Sequence, residues 1–75
     1  MKYKLPKGLR FSEALPDDIK FVDMSLVKAY LYPHTNIRIL FWNGKECLIE
    51  DVKYKEERIN VAVENKVITE IIGRG

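Results

Sequence analysis

Covalent and metal staples are nearly absent from this chain. It has one cysteine, Cys47, and one histidine, His34. A single thiol forms no internal disulfide. One Cys and one His cannot supply the four soft ligands of a zinc finger, ribbon or knuckle. Glutamine is missing, and no apolar run approaches the roughly 20 residues of a membrane-spanning helix. Met1 to Arg10 is basic with no apolar stretch behind it, so no secretory signal is expected. Nor is there a nucleotide-cradling Gly loop, a metal cluster, a credible triad, a repeat or a low-complexity segment. These absences argue against a disulfide scaffold, a zinc module, a helical membrane protein and an enzyme. The expectation is a soluble cytoplasmic protein without a cofactor, held together by a good core or by self-association.

The 75 residues suffice for one domain. A domain this small buries only about 60% of the surface its unfolded chain exposes, so its stability margin is thin. The net charge of +2 names no partner. Its distribution says more. Lys2, Lys4, Lys7 and Arg10 precede any acid, so residues 1–12 read as a basic N-terminal arm and residues 13–75 as the domain. Nearly a third of the chain is charged, rich in Lys and Glu, which matches a thermophile's composition.

Asn43-Gly44 sits between two apolar runs, the strongest short hairpin signal, because a type I′ turn needs positive φ at both central residues. Upstream, Ile37 to Trp42 is β-branched and aromatic and reads as a strand. Strict alternation puts Ile37, Ile39 and Phe41 on one face and Arg38, Leu40 and Trp42 on the other. Lys45 to Tyr54 is also strand-like, with a parity slip at Glu50-Asp51 that calls for a bulge or bend. Ile59, Val61 and Val63 then alternate with Arg58, Asn60, Ala62 and Glu64. Asn65-Lys66 makes a second turn, and Val67 to Ile72 a last strand.

The first half is more ambiguous. Pro16-Asp17-Asp18 resembles a helix start, with Pro in the first turn and acids at the positive dipole end. Helical spacing over 17–32 favours a helix there. A strand over 18–23 followed by a helix capped by Ser25 is the alternative. The expected fold is mainly β (α+β): a four- to five-stranded antiparallel meander or small SH3/Sm-like barrel with one short N-terminal helix.

Ile37-Arg38-Ile39-Leu40-Phe41-Trp42-Asn43-Gly44, followed by Asn60-Val61-Ala62-Val63 and the ending Ile71-Ile72-Gly73-Arg74, resembles the two motifs of Sm-like proteins, bacterial Hfq among them. The resemblance covers residues 37–75. It departs where Ile49 or Glu50 stands in place of the bent strand's glycine. It implies a ring-forming, RNA-binding protein with Asn60 near the base-binding loop and Arg74 at its rim.

Among candidate site residues, Trp42 can stack a base, with Tyr54 or Arg38 nearby, or close one end of the core with its N–H at the surface. Lys2, Lys4, Lys7 and Arg10 can contact phosphates, or form a solvated terminus. Asp17, Asp18 and Asp23 more simply favour a helix start than a metal. His34 and Cys47 lack a third orienting residue for thiol–imidazole chemistry. Phe11, Phe21, Tyr30, Leu31 and Tyr32 supply more surface than a small core must contain, which points to an interface. Two binding readings result. One is nucleic acid (RNA or DNA) bound by Lys2, Lys4, Lys7, Arg10, Arg38, Trp42, Tyr54, Asn60 and Arg74. The other is a protein-interaction or assembly module, as a homo-oligomer or an accessory subunit.

Overall fold

The structure is a computed structural model that describes residues 4–75. Lys2 and Tyr3 lie outside the described residues. Two tight turns set the architecture. Asn43 (φ 50°) and Gly44 (φ 83°) form one; Asn65 (φ 52°) and Lys66 (φ 62°) form the other. Positive φ at both central residues matches the right-handed twist of flanking strands. The first turn joins β1 (Asn36–Trp42) to β2 (Lys45–Glu46), and the second joins β3 (Arg58–Glu64) to β4 (Val67–Arg74).

The hairpins lie side by side, in the order β2-β1-β3-β4. β1 and β3 run parallel, with Asn36 beside Arg58 and Arg38 beside Asn60. The turns are tied together: the Asn43 side-chain oxygen accepts from the Asn65 N–H at 2.8 Å, and the Asn43 N–H donates to the Val63 carbonyl at 2.8 Å.

The mainly β expectation holds, but its topology is corrected. The sheet is mixed and open, neither an antiparallel meander nor a closed barrel. The strand expected over 45–54 is only Lys45–Glu46. After the Cys47 N–H donates to Leu40 at 2.9 Å, the chain leaves the sheet and crosses back to start β3 beside β1. The physical reason lies in its apolar residues. Leu48 and Val52 are exposed, so no core rewards extending the ladder. Parallel neighbours require such a crossover.

Both faces of the sheet are covered, as parallel pairing demands. On one face Phe21, Ala29, Ile59, Val61, Val63 and Ile68 form a buried cluster, with Ile37 and Ile39 packed against it. On the other, Leu40, Phe41, Ala62 and Ile72 pack with Leu5, Leu9, Phe11 and Ile49. Thus the N-terminal segment, as far as it is described, lies on the core. The β1–β3 register shifts between Ile39 and Phe41, so Leu40 and Phe41 belong to the same cluster. That corrects the alternation that grouped Phe41 with Ile37 and Ile39: the irregularity inserts one residue and reverses parity.

The 17–32 region holds two short helices, a 3-10 helix (Pro16–Phe21) and α1 (Leu26–Tyr30). Pro16 opens the first. Ser25 caps the second, its Oγ accepting from the Lys28 N–H at 3.3 Å. Asp23, with φ 68°, turns the chain between them. No helix among the described residues is long and apolar enough to cross a membrane.

The 3-10 helix is fixed to the sheet by charge. Arg74 donates to both Asp18 carboxylate oxygens, at 3.0 and 2.6 Å, and the Leu15 N–H adds a bond of 2.8 Å. Asp18 is only 2% exposed. Burial alone pushes its carboxyl up. The Arg74 bonds, the Leu15 N–H and the charges of Arg74 and Lys20 outweigh burial and hold it below the usual carboxylate range. Beside this pair, Ser12 and Arg74 exchange two backbone bonds of 2.8 and 3.0 Å. A Cβ on Gly73 would sit 2.6 Å from the Ser12 carbonyl oxygen, so glycine permits that bridge.

Asp18→Asn should cost about 1–3 kcal/mol at neutral pH, the range for charged hydrogen bonds, read by urea unfolding. In the wild type this stabilisation is complete above the unfolded carboxyl's pKa and disappears as pH falls through the depressed folded value. The difference between variant and wild type should therefore shrink with acidification. A constant difference down to the acid transition would contradict the role given to this pair.

Candidate functional site

One corner of the sheet gathers polar side chains that are far apart in sequence. Arg38 and Asn60 are cross-strand neighbours on β1 and β3, and Arg58 lies two residues before Asn60. Arg38 donates through Nε to Asn60 Oδ1 at 2.6 Å, through Nη1 to the Asp51 carbonyl at 2.8 Å, and through Nη2 to the Gly75 carbonyl at 3.1 Å. Arg58 donates to the same Gly75 oxygen through Nη2 at 2.7 Å and Nε at 3.2 Å, and to the Lys53 carbonyl at 2.7 Å. The Asn60 amide donates to the Gly73 carbonyl at 3.2 Å. The end of β4, the crossover and the β1–β3 pair are thereby bonded to one another.

The charge is unevenly matched. Arg58 pairs with the Asp51 carboxylate at 3.2 Å, and Asp51 is shared with Lys55 at 3.4 Å. Arg38 bonds no Asp or Glu side chain among the described residues; its three bonds go to Asn60 Oδ1, the Asp51 main-chain oxygen and the Gly75 oxygen. Burial, and then the charge of Arg58, push the Arg38 guanidinium down, while Asp51 pulls it up. It stays protonated, as guanidinium does in proteins. The Asp51 carboxyl is held low by the Lys53 N–H and then by Arg58.

Tyr54 completes the corner. It is 40% exposed, and its hydroxyl donates to Ser12 Oγ at 2.8 Å. A Cβ on Gly75 would meet the Tyr54 ring and the Arg10 carbonyl, so both adjoin the chain there.

Of the residues nominated from sequence, the fold bonds Arg38 to Asn60 and places Tyr54 beside Gly75, with the main-chain oxygen of Arg10 at the same position. Asn60 is fully buried and spends its amide inside the sheet; Arg74 is committed to Asp18. Trp42 stands apart, 38% exposed at the turn end of β1. Lys4 and Lys7 are exposed on the N-terminal segment. Lys2 lies outside the described residues.

Sequence reasoning missed Arg58, which is 8% exposed, and Asp51, its partner. Arg58 reads as the first residue of the strand that alternates with Ile59, Val61 and Val63, and nothing in that pattern gives it a role. Its shared parity with Asn60 was the available signal.

Elsewhere, Cys47 lines a cavity of about 440 Å³ with Lys7, Leu9 and Leu48, and burial pushes its thiol up, away from reactivity. Among the described residues no three His, Cys, Asp or Glu side chains group to hold a metal ion. No protein-family model, curated protein or solved structure matches the chain.

Replacing Arg58 by Met should destabilise the fold by about 1–3 kcal/mol, because it removes the charged hydrogen bonds that tie the buried Gly75 oxygen and the Lys53 carbonyl to β3. Urea unfolding measures this. A loss near zero would mean that Arg58 ties nothing together.

Proposed function

We propose that this chain is a small, non-enzymatic nucleic-acid-binding module of the cytoplasm. One observation carries the reading: the N-terminal segment is a basic strip seated on the core. Leu5, Leu9 and Phe11 pack against the second cluster, while Lys4, Lys7 and Arg10 remain exposed. Anchoring spares the strip much of the ordering entropy that a free arm would lose on binding phosphates. The strip leads to the Arg38–Arg58 corner, where Tyr54 offers a half-exposed ring for stacking. The resemblance of residues 37–75 to Sm-like proteins supports the same class of ligand.

The expected behaviour is salt-sensitive retention of single-stranded oligonucleotides in filter binding. A triple variant, Lys4→Gln, Lys7→Gln and Arg10→Gln, should lower the log–log salt slope by about 2, at roughly 0.7 per neutralised cation. An unchanged slope, or no retention by the wild type at low salt, defeats the proposal.

A second reading, the protein-interaction or assembly module, rests on a different surface. Leu15 (54% exposed) and Ile19 (74% exposed) line an apolar cavity of about 400 Å³ beside β4. β4 is an edge strand, bonded at Arg74 to Ser12 and at Ile68 to Asp23 and Met24. On this reading the wild type sediments as a dimer or larger, and Ile19→Asp makes it monomeric without lowering stability. A wild type that stays monomeric at high concentration excludes self-assembly.

A further inference from the structure

We infer that the cavity between the N-terminal segment and the crossover is a pocket for one unstacked guanine of a single strand, with Glu46 reading the base and Lys7 holding its phosphate. The inference deepens the nucleic-acid reading and rests on it for the source of the ligand. The cavity holds about 440 Å³, within the usual span of roughly 300–1,000 Å³ for small-ligand sites. Its walls come from segments distant in sequence. Lys7 and Leu9 stand on one side, Leu48, Ile49 and Val52 on the other, and Glu46 at the end of β2. Leu9 and Ile49 also pack on the second cluster, so the walls are tied to the core. Gly8, with φ 85°, turns the chain between the two N-terminal wall residues; Lys7 stays exposed while Leu9 is half-buried.

Two observations select the occupant. The first is apolar surface that the fold leaves uncovered. Leu48 is 88% exposed and Val52 59%, although both line the cavity. A flat base laid against them removes that surface from water, and apolar side chains hold an extruded base well. The second observation is charge. Lys7 and Glu46 both line the cavity, and among the described residues neither takes part in an ion pair. A purely apolar ligand would use neither group, and a fatty acid would use Lys7 alone. A nucleotide uses both. Its phosphate meets the ammonium, and the donors of its base meet a carboxylate that only accepts. Guanine fits best because its N1–H and 2-amino group lie side by side on the Watson–Crick edge and donate in parallel to one carboxylate. Adenine, cytosine and uracil each present a single donor group on that edge.

The test measures binding of the full chain to short oligouridines whose central residue is guanosine, inosine or adenosine, by fluorescence anisotropy at constant salt. The guanosine strand should bind about tenfold more tightly than the adenosine strand, the discrimination of one good bidentate contact. Inosine keeps N1–H and lacks the 2-amino group, so it should fall between them. Glu46→Gln, at an exposed position, should bring guanosine and adenosine to within about twofold, because an amide pairs with adenine as readily. Lys7→Gln should weaken all three strands by a similar factor and keep the preference, as loss of a phosphate contact does. Methyl NMR shifts at Leu9, Leu48, Ile49 and Val52 should accompany the guanosine strand.

Equal binding of the guanosine and adenosine strands by the wild type overturns the pocket and leaves the nucleic-acid reading standing. So does a guanosine preference that survives Glu46→Gln. If no strand is retained, the nucleic-acid reading fails, and NMR titration with guanosine monophosphate against adenosine monophosphate decides the pocket by itself. Shifts at Leu48 and Val52 with the guanine nucleotide, lost in Glu46→Gln, uphold it. Their absence overturns it.

Discussion

The open end of the sheet depends on the Gly75 oxygen and the two guanidiniums that converge on it. Arg58 reaches it from β3 and Arg38 from β1, and each carries a further bond to the crossover, at Lys53 and at Asp51. A chain of 75 residues with one cysteine has no covalent cross-link and few other means of holding a long connection to its sheet. Arginine suits the task because its planar fork donates in several directions at once and stays charged when buried. These bonds act as the missing staples, and they do so across segments that the backbone ladders leave unjoined. The Asp18–Arg74 pair does the same for the 3-10 helix.

Cross-linking through charge carries a cost that a disulfide does not. Each guanidinium brings a positive charge into partly dry surroundings, and it costs free energy unless its donors are satisfied there. The corner is therefore sensitive to what happens to either guanidinium. Arg58 is the more deeply buried of the two and bonds Asp51, Lys53 and Gly75, so it holds the corner in shape, whereas Arg38 links Asn60 to the crossover and to the strand end.

The local parts of this fold were legible in the sequence. Asn43-Gly44 and Asn65-Lys66 announce turns because few residue pairs tolerate positive φ in succession, and Ser25 announces a helix cap. The parallel pairing was not legible. It joins strands whose partners are 22 positions apart, as Arg38 and Asn60 are, and no local pattern records which neighbour a strand will choose. Phe41 was placed on the wrong face because an alternation rule has no means of seeing one extra residue. The candidate site was legible in part. Arg38 and Tyr54 could be nominated as polar and aromatic surface, whereas the burial of Arg58 and Asn60 follows from the N-terminal segment and crossover covering the second face, which is a tertiary fact.

The bond between the two turns has a kinetic side. Each hairpin closes over a two-residue turn, so it can zip on its own within microseconds, before any distant segment arrives. The parallel seam is the non-local event, and closing it requires residues 47–57 to bring β3 back alongside β1. Asn43 stands at the tip of the first hairpin and bonds the tip of the second. The bond at the tips fixes the two hairpins against each other at the end where both chains turn, so that asparagine holds the register of the parallel seam in the finished sheet.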